Sequence, residues 1–379
     1  MLAQHFVKWC ETANTAERCS GVALLADAVV GRKFLPTEIR QAEAALIFAL
    51  DDPSPRVRRT IADYVEASDL VSRQLVRTLA NDVDEVAVGV AEKSPLLSPD
   101  DLVALVRQGS TALRVAIARR PNLDERTAQA LVATSDAEVC LELAGNADGD
   151  LPSETLRTLA AEFADHPRIR NALLQRDDLP AAMRHALLLR LGDALCGSDF
   201  VRNATGAVRL AHLREDVAEQ ATASLIDLLT PEDLAPFVEH LRASGQLNTA
   251  VLVRAVCSGR IDLFASSLAR LSAVPAMRVR AIVAEAREPA FAALTSAAGL
   301  PLAVVPLLLS AVRVWRDMAW SDDLDRADVA ATVMERVVLS YRRADNGPQF
   351  EELGVLLHRL ASETQRMTTR HRTAHYLAA

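Results

Sequence analysis

Three arginines, Arg58, Arg114 and Arg170, each follow the first member of an apolar trio spaced i, i+4, i+5, and Arg59 and Arg119 stand nearby. Guanidinium groups that recur at one register position can form a ladder along one face. Such a ladder grips phosphates or an acidic protein segment through charge-assisted hydrogen bonds. It is interrupted here. Ala87 and Cys140 take the position in the second and fourth trios, with Glu85, Glu92, Glu138 and Glu142 around them. A solvated face of internal ion pairs explains the same residues, so both readings stay open. The chain as a whole carries a formal charge of −8, which argues against a general attraction to nucleic acid or anionic membrane.

Other constellations are thinner. His371 and His375 lie at i, i+4, a spacing for two metal ligands on one helical face, but no third ligand accompanies them. Asn146-Ala147-Asp148-Gly149-Asp150 hints at a calcium loop yet lacks the closing Glu; it predicts a turn and a helix cap. The acid pairs Asp51-Asp52, Asp100-Asp101, Asp177-Asp178 and Asp322-Asp323 fall at helix boundaries, where capping and the helix dipole favour carboxylates. Cys10, Cys19, Cys140, Cys196 and Cys257 are scattered without a CxxC, as expected of reduced thiols in the cytoplasm. No Gly-rich phosphate loop or nucleophile elbow occurs. No catalytic residue, metal or cofactor is assigned.

The elements that position these residues are helices. Half the residues are hydrophobic and only 4% aromatic, a helix-forming composition with no run of strand-like alternation. The trio recurs as Val57/Ile61/Ala62, Val86/Val90/Ala91, Leu113/Ile117/Ala118, Val139/Leu143/Ala144 and Ile169/Leu173/Leu174. After each, the chain turns and opens a second helix, with starts such as Ser98-Pro99-Asp100-Asp101 and Asp124-Glu125. One such pair cannot bury both apolar faces, but stacked pairs can. The expected fold is all-α: an α-solenoid of short HEAT-like helical repeats followed by a C-terminal helical domain. Capping helices occupy 1–50, the repeats 51–190, the C-terminal domain 191–320, and further helices with a flexible tail 321–379. Thr230-Pro231-Glu232-Asp233 predicts a helix start, and Pro306 a kink or restart. The N-terminus lacks a secretory signal pattern, and the apolar run 297–312 is too short and proline-broken to span a bilayer. A cytoplasmic protein is expected.

The segment 247–301 carries a further pattern: Cys257-Ser258-Gly259-Arg260-Ile261-Asp262-Leu263-Phe264, Leu268-Ala269-Arg270-Leu271, Val279-Arg280-Ala281-Ile282, and Phe291 through Ala298-Gly299-Leu300-Pro301. In these motifs 190–320 resembles a bacterial domain-of-unknown-function family, number 2336, whose members are mostly alphaproteobacterial. The N-terminal half is similar to the HEAT-like and leucine-rich-variant repeats that accompany it. The resemblance implies a helical fold and a bacterial source, and transfers no catalytic residue.

Trp315 and Trp320 close a long apolar helix with Leu308, Val312 and Met318. They read either as core or as an exposed patch that buries against a partner or a second copy. The function expected is a non-enzymatic scaffold for a protein partner, with an acidic partner among the options. Its candidate contacts are Arg58, Arg59, Arg114, Arg119, Arg170, Trp315 and Trp320. The alternative is nucleic-acid binding through the arginine face.

Overall fold

Short helices with well-capped starts carry the fold. The computed structural model describes residues 2–33, 35–226, 228–318, 326–343 and 351–378, and among them every regular element is helical. Two compact units divide the chain, Met1–Leu179 and Pro180–Ala379.

The first unit comprises α1 (Leu2–Cys10), α2 (Thr15–Val30), α3 (Pro36–Ala49), α4 (Pro55–Val65), α5 (Arg73–Ala80), α6 (Asp84–Lys93), α7 (Pro99–Gln108), α8 (Thr111–Ala118), α9 (Glu125–Val132), α10 (Ala137–Gly145), α11 (Ser153–Glu162) and α12 (Pro167–Gln175). Pro36, Pro55, Pro99 and Pro167 each open a helix, where the missing N–H costs nothing. Asn14 and Glu17, and Ser98 and Asp101, form reciprocal capping boxes. Pro152 sits one position earlier, at the cap of α11.

The trios lie on α4, α6, α8, α10 and α12. Each of these helices packs on the one before it, beginning from α2, and α7, α9 and α11 form a second such series. Every trio member is buried except Leu174, which is partly so. Each of α4, α6, α8 and α10 thus buries one stripe between two neighbours of its own layer.

Polar side chains knit the stack from rung to rung. Arg18 on α2 grips Asp52 before α4 at 2.7 Å. Thr111 on α8 donates to Asp136 before α10 at 2.9 Å. At the other helix ends a second series caps bare carbonyls. Arg120 donates to Ala91 O (2.6 Å) and Ser94 O (2.7 Å) past α6. Asn146 donates to Ala118 O (2.9 Å) past α8. Arg176 donates to Asn146 O (2.6 Å) and Gly149 O (2.8 Å) past α10. Cationic or amide donors at a helix C-terminus satisfy its orphan carbonyls and oppose its dipole.

The second unit holds α13 (Ala181–Cys196), α14 (Asp199–Ala204), α15 (Ala207–Ile226), α16 (Leu234–Ala243), α17 (Thr249–Cys257), α18 (Ile261–Ser272), α19 (Ala276–Glu285), α20 (Glu288–Ala297), a 3-10 turn at Leu302–Val304, α21 (Val305–Met318), α22 (Arg326–Arg343) and α23 (Glu351–Ala378). Its core centres on the fully buried Phe237, Phe264 and Phe291, with the last two rings stacked at 6.3 Å. Helix α13 begins inside the stretch 51–190 expected to hold the repeats; here it packs on α15 and α16. Pro306 restarts rather than kinks its helix, falling in the first turn of α21. Thr230 and Asp233 make the expected reciprocal bonds, but the regular helix begins only at Leu234 because 231–233 form a turn. Within 321–379, where further helices and a flexible tail are expected, the backbone is helical over Glu351–Ala378. Among the described residues no helix is long and apolar enough to cross a membrane.

Candidate functional site

The three ladder arginines share a role, and it is internal. Arg58 forks onto Asp82 through Nε (2.6 Å) and a terminal nitrogen (2.7 Å), and gives its remaining nitrogen to Asp52 O at 2.6 Å. Arg114 donates Nε to Val106 O at 2.8 Å. Arg170 is only 4% exposed and donates to Ala164 O at 3.1 Å, while its Nε finds no acceptor. Each guanidinium therefore folds back onto main-chain oxygens ahead of its own helix, in the preceding turn for Arg58 and Arg170 and in the last turn of α7 for Arg114. The surface ladder that the sequence spacing suggests is not what this register position builds, because main-chain oxygens lie within reach of it. Arg59 and Arg119 do remain outside, Arg59 loosely paired with Asp63 (3.9 Å) and Arg119 with Glu142 (2.9 Å).

Burial works to raise the carboxyl of Asp82, but the Arg58 guanidinium and the Val83 N–H more than offset it and hold the group below its ordinary value. The hydrogen bond that Arg58 donates to Asp82 in turn lifts the guanidinium above its own. Arg120, buried among carbonyls, is pulled below its ordinary value by desolvation.

His371 and His375 lie on α23, with side chains outside the described set. Among the described residues no group of three His, Cys, Asp or Glu is placed to hold a metal ion. Asn146 spends its amide on α8, and its Oδ1 accepts from Asp148 N at 3.1 Å, closing a turn. Asp101 caps α7, and Asp178 accepts from Leu151 N and Arg176; Asp322 and Asp323 fall outside the described residues. All five cysteines are free, and burial pushes Cys140 and Cys257 up to about 12, leaving both as inert thiols.

Trp315 is where the structure gathers a site. It lies on α21, half-buried, and lines an open groove of about 720 Å³. Helix α18 contributes Ile261, Asp262 and Ala265; α19 contributes Arg280, Val283 and Ala284; α21 contributes Val312, Trp315 and Arg316. The floor is apolar and the charges stand at the rim. Trp320 lies outside the described residues, so only the first of the two tryptophans is placed.

The indole is fixed from behind. Its Nε1 donates to Val256 O at 2.8 Å at the end of α17. Its ring occupies the space a side chain on Gly259 would need, and Gly259 holds φ +75°. Arg260 next to it donates to Ile226 O and to Leu229 O (3.0 Å) and holds Asp262 at 3.2 Å. Burial favours the neutral form of Asp262, yet Arg260 and the Leu263 N–H outweigh it and keep the carboxylate below its ordinary value. Another hollow, about 280 Å³, lies among Val7, Cys10, Val22 and Phe48, and of the charged groups that line it Arg18 and Asp52 satisfy each other.

Two features escape a reading of the sequence. The first is the groove itself, whose walls come from positions that look like three unrelated core stripes. Gly259 beside Arg260 was the one local signal, marking a left-handed turn. The second is a buried histidine pair. His185 Nδ1 lies 3.0 Å from His240 Nε2, and His185 Nε2 lies 2.9 Å from Thr222 Oγ1. Thr222 gives its proton to Ala218 O, so its oxygen can only accept here. His185 must then carry its proton on Nε2, and His240 must donate to the bare Nδ1. The pair lies 55 residues apart in the chain, and neither histidine stands in a motif.

A family model described as uncharacterised protein conserved in bacteria (DUF2336) matches residues 86–346, well over half of the chain. Neither a curated protein nor a solved structure matches it.

Proposed function

The chain belongs to the DUF2336 family of uncharacterised bacterial proteins, and from that premise we propose that it is a helical-repeat scaffold that holds a protein partner in the Trp315 groove. In this reading the first unit is an α-solenoid of short repeats, the protein works in the cytoplasm, and it binds rather than catalyses. One observation carries it: an open, apolar-floored groove with a tryptophan locked from behind. Half-buried aromatic side chains held rigid on a concave surface are the usual anchors of protein recognition, since little entropy remains to be lost on binding. Arg59 and Arg119 serve as auxiliary surface contacts at most. A nucleic-acid reading draws no support from Arg58, Arg114 and Arg170, each of which turns at least one donor onto the protein's own oxygens and none of which is exposed.

The test is capture of partners by the full chain in its native cell, set against Ala284→Trp. Ala284 lines the groove yet is exposed, so a larger side chain there fills the site without entering the core. A protein retained by the wild type and lost with Ala284→Trp, at an unchanged melting midpoint, is the expected result. The same retained proteins from both forms would show that the groove is not the seat.

A further inference from the structure

We infer that the segment seated in the Trp315 groove is an acidic amphipathic helix. This rests on the groove being a partner seat, and it adds the conformation and the charge of what sits there.

Conformation follows from what the walls can offer. Among the described residues there is no strand, so no free edge exists on which an extended segment could pair its main chain. The floor presents Ala265, Val283, Val312 and Trp315, which supply area but, with the indole N–H already committed to Val256 O, no donors. An extended segment pressed there would bury unpaired amides, each at a substantial cost. A helix satisfies its own backbone and offers a stripe of apolar side chains at i, i+3, i+4 and i+7, the arrangement that fills a groove between helices.

Charge follows from the rim. Arg280 on α19 is exposed and has no ion-pair partner among the described residues. Arg316 on α21 has one ion-pair partner among the described residues, the exposed Asp317 beside it at 2.8 Å, and gives its other terminal nitrogen to the neutral Glu285 O at 3.1 Å, so it keeps part of its charge at the rim. The one acid lining the groove, Asp262, is held by the buried Arg260, so its charge is largely met from within. The rim therefore presents net positive charge on a chain whose total is −8. A segment with carboxylates flanking its apolar stripe complements that rim, and one with lysines there is repelled.

The experiment uses three labelled amphipathic peptides of about 16 residues, long enough to form a helix on binding. They share one leucine stripe and differ in carrying Glu, Gln or Lys on the flanks. Fluorescence anisotropy with the full-length protein is expected to rank them Glu, then Gln, then Lys, with roughly tenfold or more between the ends, narrowing as salt rises from about 0.05 to 0.3 M. Arg280→Glu should reverse the order, and Ala284→Trp should abolish binding of all three. Equal affinities, a preference for Lys, binding by none, or a groove filled by a second copy of the chain would each overturn the inference. If Ala284→Trp still releases a captured partner while the peptides show no charge order, only the acidic helix is lost. If Ala284→Trp changes neither, the groove reading falls as well.

Discussion

The ring of Trp315 stands where a side chain on Gly259 would have to go: a Cβ at that glycine would lie 2.6 Å from two of the indole carbons. The same glycine sits at φ +75°, a conformation that disfavours any L side chain. The turn after α17 and the wall of the groove are therefore one feature, and a change to either is a change to both.

Gly259→Ala should destabilise the second unit by at least about 2 kcal/mol, combining left-handed strain with displacement of the indole. Tryptophan emission should shift to the red as the ring loses its packing and its bond to Val256 O. A variant with unchanged emission and melting midpoint would show that the indole is free to sit elsewhere.

Ala273 ends α18 in the left-handed region at φ +56° and is exposed. Here the missing glycine is a defect rather than a need. Ala273→Gly should raise stability by about 0.5–1 kcal/mol, since it removes the strain and little buried area is lost. A lowered thermal midpoint would contradict this.

His185 is 0% exposed, and burial together with the neighbouring His240 pushes it down to about 4; desolvation lowers His240 as well. The folded state thus binds these protons more weakly than the unfolded chain, whose histidines titrate near 6.5. The stabilisation is whole above about pH 6.5 and is lost as pH falls toward 4, by about 3 kcal/mol from His185. Chemical denaturation across that window should show the slope, and His185→Gln should flatten it. An identical pH profile in both proteins would rule out the pair as its source.

Ile117 is fully buried on α8, and Ile117→Asp should cost roughly 3–5 kcal/mol as an uncompensated charge in the stack. Replacing Arg58, Arg114 and Arg170 together with Ala should also lower stability, by roughly 1–3 kcal/mol for each bond set removed. Arg59→Ala with Arg119→Ala should move the midpoint little, as exposed pairs contribute about 1 kcal/mol or less. Differential scanning calorimetry separates these cases. A triple arginine variant as stable as the wild type would restore the ladder to the surface.

The positions of the helices were legible because the signals are local. Val57, Ile61 and Ala62 share a face by geometry alone, and Pro55 can start a helix but not continue one. The direction of a guanidinium was not legible. Arg58 follows its trio residue as Arg114 does, yet whether such a group faces solvent depends on acceptors elsewhere. For Arg58 the acceptor is Asp82, 24 residues away. The rule that long cations belong outside fails where a neighbouring turn or helix end presents bare carbonyls.

Sequence alone thus determined that this chain is helical and which residues form the buried stripes of α4, α6, α8, α10 and α12. Those are consequences of periodicity and backbone chemistry, which act within a few residues. Tertiary structure alone decided that Arg58, Arg114 and Arg170 are staples, that His185 meets His240, and that Ile261, Val283 and Trp315 line one groove. Each depends on helices distant in sequence being brought side by side. Packing, not periodicity, chooses which side chains meet there.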